Sequence, residues 1–208
     1  MFAAVQSQGN RLKRSFIMET KNIMIVGVGG QGTLLASKLL GRLLLTRNYD
    51  IKVSEVHGMS QRGGSVVTYV RYGDKVYSPI IDKGEADFIL SFELLEAARA
   101  AEYLRPGGTI ITNTQQVNPM PVITGAMSYP EDLLGKMKAL GLNVDGMDAL
   151  TLAREAGSVK AVNLVLLGRL SNYFSDFSEE EWMQAIEQSV PPKFLEMNKK
   201  AFHSGRYV

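Results

Sequence analysis

The run NIMIVGVGGQG at residues 22–32, followed by a leucine-rich stretch to residue 45, constrains the fold more than any other part of the chain. Residues 22–28 are apolar, rich in β-branched side chains and closed by glycines, the pattern of a parallel strand buried on both faces. Residues 31–45 place Leu35, Leu39 and Leu43 at four-residue spacing. Leu34, Ala36, Leu40 and Leu44 widen that stripe into a well-buried helix. Strand, glycine turn and helix in this order open an α/β architecture.

The pattern continues with a strand expected at 51–57, which would complete a right-handed βαβ unit. Residues 65–72 and 75–78 flank Gly73-Asp74 and read as an inserted β-hairpin. A strand at 86–92, a helix at 93–104, a turn at Arg105-Pro106-Gly107-Gly108 and a strand at 109–114 follow. Residues 118–130 carry three prolines and form a connection to a helix at 131–140 and a short strand at 143–148. The remainder is helical in pattern over 148–156, 159–174 and 178–190. Ser178 and Glu181 suit a capping box, and Pro191-Pro192 separates a last helix running to His203. The expected fold is a Rossmann-like, doubly wound, mostly parallel α/β sheet with an inserted β-hairpin and C-terminal helices. Residues 1–20 are expected as a flexible leader and 21–208 as a single domain.

Composition narrows the function classes. The formal charge of +2 falls to −1 once Arg11, Lys13 and Arg14 of the acid-free first seventeen residues are set aside. The body therefore has no basic excess for nucleic acid or an anionic membrane. No apolar run is long enough to span a bilayer, and the N-terminal stretch lacks the apolar core of a secretion signal, so a cytoplasmic protein is expected. Without a cysteine the chain can form no disulfide, ligate no iron–sulfur cluster and use no thiolate nucleophile. No cluster has metal-ligand spacing, His57 and His203 are the only histidines, and no catalytic residue is identified. Asn163 and Arg169, within an apolar helix, are expected to satisfy buried carbonyls or cap an interface.

Gly27, Gly29 and Gly32 satisfy GxGxxG between a strand and a helix, with Gly30 and Gln31 completing the turn. The glycines permit a sharp turn, close ligand approach and tight helix–strand packing, and the helix amides that follow attract anions. Glu55 stands near the place where a dinucleotide site needs an acid for a ribose hydroxyl. From the pattern alone three explanations stay open: NAD, another anionic ligand, or a purely structural turn. A second loop, Ser60-Gln61-Arg62-Gly63-Gly64, offers hydroxyl, amide, guanidinium and glycine N–H donors suited to an anion or to another subunit's carboxylates. Two such loops at neighbouring strand ends point to one crevice.

Together these residues carry a resemblance. The stretches 22–32 and 54–66, the latter reading SEVHGMSQRGGSV, resemble the beta-subunit family of indolepyruvate ferredoxin oxidoreductases. That family is similar to the gamma domain of pyruvate and ketoisovalerate oxidoreductases. Tyr77-Ser78-Pro79, Gly84-Glu85-Ala86-Asp87, Pro106-Gly107-Gly108 and the AVNLVLLG run at 161–168 also look like it. Coverage runs from about residue 22 to the C-terminal helices. The paired GGQG and SQRGG motifs are far more specific than a lone GxGxxG.

The resemblance implies a complex that oxidatively decarboxylates an arylpyruvate on thiamine diphosphate, passes two electrons through iron–sulfur clusters to ferredoxin and releases an aryl-acetyl-CoA thioester. It implies that thiamine diphosphate and the clusters sit in a large alpha subunit, that this chain alone binds no cofactor, and that CoA is the co-substrate. The isolated chain is then expected to be inactive, and a homodimer when isolated is allowed. The chain's share is to complete the assembly and shape the approach of CoA or substrate, with Gly27, Gly29, Gly30, Gln31, Gly32, Ser60, Gln61, Arg62, Gly63 and Gly64 as the candidate binding surface. Two alternatives compete: a free-standing NAD(P)-dependent Rossmann oxidoreductase and a purely structural assembly subunit.

Overall fold

The computed structural model describes residues 18–56 and 64–208. The order is β1 (Lys21–Val28), α1 (Thr33–Leu45), β2 (Asp50–Val56), β3 (Ser65–Gly73), β4 (Ala86–Ser91), α2 (Leu94–Ala100), β5 (Leu104–Asn113), α3 (Met120–Ile123), α4 (Leu133–Ala139), β6 (Asn143–Met147), α5 (Ala149–Ala156), α6 (Val162–Ser171), α7 (Glu179–Ser189) and α8 (Leu195–Arg206). The strands form one six-stranded sheet in the order β2-β3-β1-β4-β5-β6. The β1/β4, β4/β5 and β5/β6 pairs are parallel, whereas β3 runs antiparallel to both β1 and β2. This is the α/β sheet expected, mostly parallel and carrying an antiparallel insertion.

Alternation along β1 sorts the core into two layers. Ile23 and Ile25 face the cluster that α1, α5, α6, α7 and α8 complete, with Trp182 and Phe202 fully buried in it. Met24 and Val26 face the smaller cluster built with α2 and α4. Ser178 opens α7 with both hydrogen bonds of the capping box, as its spacing to Glu181 anticipates.

The hairpin is not where the turn dipeptide places it. β3 pairs back onto β2 across residues 57–64, and residues 75–78 form no strand. The reason is geometric: β3 lies between β2 and β1, so both of its hydrogen-bonding edges are taken. The 75–78 segment is held by a side chain instead, the Val76 N–H donating to Asp50 Oδ2 at 3.0 Å. It follows that β2 runs in the direction of β1 but at the sheet edge, and no βαβ unit pairs these two strands directly. The turn at Arg105–Gly108 survives inside β5 as a register irregularity, with Ala86 opposite Leu104 but Phe88 opposite Thr109.

Candidate functional site

The C-terminal ends of β1, β4, β5 and β6 lie along one edge of the sheet, the edge at which open α/β sheets form ligand crevices. The glycine turn leaves β1 there, and its residues have different tasks. Gly27 is a packing glycine: a Cβ on it would come within 2.8 Å of Gln31 Oε1 and 3.0 Å of Phe92 Cβ. Gln31 braces the turn, accepting from the Val28 N–H at 2.7 Å and donating from Nε2 to the Phe92 carbonyl at 3.3 Å. Gly30 and Gly32 take left-handed φ values of 94° and 90°, which favour glycine. A Cβ on Gly32 would meet Asn163 Nδ2 at 3.0 Å, while Gly30 opens onto empty space. Asn163 donates to the Gly32 carbonyl at 3.5 Å, the carbonyl-satisfying role its place in an apolar helix suggested.

This turn forms one wall of a cleft of about 700 Å³. Val28 to Gly32 face Gln115 and Val117, which follow β5, and Leu150, Val159, Lys160 and Val162, around and after α5. The N–H groups of Gly30, Gly32, Thr33 and Leu34 have no acceptor among the described residues, so the start of α1 presents free donors here. Lys160 is the only titratable side chain among the described lining residues. The cleft can therefore bind and orient an anionic ligand, but its described wall supplies no acid–base pair and no nucleophile.

The second loop lies partly in view. Gly64 meets the glycine turn directly, its carbonyl accepting from the Gly29 N–H at 3.0 Å. The pairing of Val28 with Ser65 carries that contact into the sheet. Ser60, Gln61, Arg62 and Gly63, with His57, lie outside the described residues. Glu55 does not reach the turn. It sits on edge strand β2, separated from β1 by β3, and accepts from Ser37 Oγ at 3.0 Å. His203 is on α8, 3.4 Å from Glu179, away from the cleft. Arg169 braces α6 to the sheet edge through Asp145 Oδ2 at 2.7 Å.

Gln115, Val117, Leu150 and Lys160 were not singled out from sequence, since they lie far along the chain from the glycines. The available signal was Gln115-Gln116 directly after a strand, on the edge where such sheets bind ligands. Behind them, Asn113 donates to the Phe92 carbonyl at 3.2 Å and to Gln115 Oε1 at 3.3 Å, and its Oδ1 accepts from the Ala149 N–H at 3.2 Å. The Phe92 carbonyl thus links both walls, receiving Gln31 from one and Asn113 from the other. Glu93 caps α2, its carboxylate accepting from Glu96 N, Val117 N and Tyr129 Oη. Burial and this carboxylate push the Tyr129 hydroxyl well above its ordinary range, so it stays a donor.

The described residues contain no group of acidic, histidine or cysteine side chains that could hold a metal ion. The cysteine-free chain also has no thiolate for an iron–sulfur cluster, so its residues do not fit that group. No helix among the described residues is long and apolar enough to cross a membrane.

An α/β sheet with an antiparallel strand at its core, a GGQG turn braced by Gln31 and the Gly29–Gly64 contact beside it define a Rossmann-like protein with a ligand-type cleft at its strand ends. Residues 22–208 match the pyruvate ferredoxin/flavodoxin oxidoreductase family, and the chain belongs to it. It is 45% identical over 194 residues to indolepyruvate oxidoreductase subunit IorB of Thermococcus kodakarensis, covering 90% of this chain and 95% of that protein. In structure it is similar to the gamma subunit of a keto/oxoacid ferredoxin oxidoreductase from Geobacter sulfurreducens, with a TM-score of 0.66, 21% identity and coverage of 89% and 96%. It is also similar to the 2-oxoglutarate:ferredoxin oxidoreductase of Magnetococcus marinus, with 2-oxoglutarate, coenzyme A and succinyl-CoA bound. There the TM-score is 0.69 at 19% identity, over 90% of this chain but 30% of that one. None of these likenesses supports a free-standing NAD(P)-dependent enzyme.

Proposed function

We propose that this chain is the small subunit of a cytoplasmic, thiamine-diphosphate-dependent 2-oxoacid:ferredoxin oxidoreductase acting on indolepyruvate or a related arylpyruvate. The 2-oxoacid and CoA are converted to acyl-CoA and carbon dioxide, and the electron pair passes one at a time to two ferredoxins. A large partner subunit holds thiamine diphosphate, which supplies the carbanion stabilisation for decarboxylation, and the clusters that conduct the electrons. The chain's own part is positional. The amides of Gly30, Gly32, Thr33 and Leu34 and the Lys160 ammonium bind an anionic portion of CoA or substrate. Val28, Val117 and Val162 keep water from its apolar portion. Ser60, Gln61, Arg62 and Gly63 are proposed as further donors to that ligand, on the ground that Gly64, which follows them in sequence, contacts the turn.

The observation that carries this reading is the meeting of the two glycine motifs, Gly29 N–H on the Gly64 carbonyl at 3.0 Å, on the wall of the cleft. This contact supports reading the two motifs, about thirty residues apart in sequence, as parts of one site. In the intact complex, Arg62→Ala should raise KM for CoA or the 2-oxoacid while leaving kcat near its starting value. Unchanged kinetics would remove Arg62 from the site.

A further inference from the structure

We infer that the segment from Val117 to Tyr129, carrying α3, is the docking element for the large catalytic subunit, an inference that rests on the function proposed above. No charged residue occurs between Arg105 and Glu131. Within that stretch Met120, Ile123 and Met127 are 65%, 64% and 66% exposed. Methionine and large apolar side chains without neighbouring charge have the composition of an interface centre.

The segment is also built to hold its shape. Both its ends are fixed by one buried carboxylate: Glu93 Oε1 accepts from the Val117 N–H at 3.0 Å and from the Tyr129 hydroxyl at 2.6 Å, and Glu93 is only 1% exposed. Its tip is closed by the Ile123, Thr124 and Met127 N–H groups on the carbonyls of Pro119, Met120 and Pro121. An apolar knob held rigid before contact loses little conformational freedom on binding.

Two observations select the occupant. The segment springs from the cleft wall, since Gln115 and Val117 line the cleft, so a protein seated on it also roofs the proposed ligand site. In the Magnetococcus enzyme the unit matched here is under a third of its chain, so further protein of that enzyme is covalently attached to it. The relatives at 45% and 44% identity are each named as a subunit, which favours a partner chain of the same complex as the occupant here. A lipid surface is disfavoured because the segment has no Lys or Arg for headgroups and its tyrosine is clasped by Glu93.

The test measures the Kd between the purified chain and the large subunit by calorimetry. The variant Met120→Ser/Ile123→Ser/Met127→Ser and the single variant Ile123→Lys should each bind about tenfold more weakly or worse. Their unfolding temperatures should stay close to that of the parent, because the altered side chains are exposed. Leu45→Ser/Val53→Ser, on the exposed face of α1 and β2, should bind as the parent does. Unchanged Kd for both loop variants overturns the inference while leaving the proposed function standing. Failure of the parent chain to bind the large subunit overturns both. Self-association of the chain, or pelleting with phosphatidylglycerol vesicles, that the triple variant abolishes without altering the Kd for the large subunit also overturns it.

Discussion

Asn113 has every hydrogen-bonding site of its amide engaged at full burial, and the two walls of the cleft depend on it. Asn113→Asp keeps the shape but puts a carboxylate oxygen against the Phe92 carbonyl and Gln115 Oε1, two acceptors. The variant should lose roughly 3 kcal/mol at neutral pH, the scale of an uncompensated buried charge. Burial and the facing acceptors favour the protonated acid, so the folded-state pKa lies above the unfolded value of about 3.9. The deficit is therefore smallest below that unfolded value and grows as pH rises towards the folded one. Thermal unfolding at pH 4 and pH 8 checks this; a deficit equal at both pH values would refute the assigned geometry. Nothing in the local sequence marks Asn113, because its partners Phe92, Gln115 and Ala149 meet only when β4, β5 and α5 reach one edge. Gln31 was legible as part of a motif, yet its role as a brace rather than a ligand group needed the Phe92 carbonyl to be placed.

At the level of elements, local pattern was informative where one face of a helix or strand decides its burial. β1 and α1 fall where the apolar periodicity puts them, and α7 begins at its capping box. The partner of β3 was misread because Gly73-Asp74 satisfies a turn locally, whereas pairing with β1 and β2 uses both edges of that strand. The same logic of close approach governs the α6–α8 crossing. A Cβ on Gly168 would lie 2.0 Å from the Phe202 carbonyl oxygen, and one on Gly205 would lie 1.8 Å from that of Val165. The helices pack backbone against backbone, which explains the glycine ending the AVNLVLLG run. Gly168→Ala must push them apart, at about 1–3 kcal/mol for an overpacked core. That corresponds to a fall in Tm of roughly 2–12 °C for a domain this size. Adding Gly205→Ala should cost less than it does alone, since the gap is already opened. A strictly additive double variant would mean the helices do not share one contact.

For the whole molecule, the strand order bears on which ligand the cleft prefers. The Rossmann-like turn suits any anion, but dinucleotide recognition adds a ribose-binding acid, and Glu55 accepts instead from the buried Ser37 hydroxyl of α1. A strand order that inserts β3 beside β1 moves the second strand, and its acid, out of reach of the crevice. What the described wall offers is backbone donors and one lysine, which under the function proposed above hold a phosphate group of CoA. CoA should therefore raise the unfolding temperature of the chain, alone or in its complex, while NAD and NADP should not. At one hundred times Kd the expected stabilisation is about 2.7 kcal/mol. For a domain of this length that amounts to roughly 5–11 °C. Lys160→Ala should reduce the CoA response without creating one to NAD. A shift with NAD and none with CoA would reassign the cleft to a dinucleotide. A shift with CoA only in the complex would mean that the large subunit contributes the rest of its binding wall.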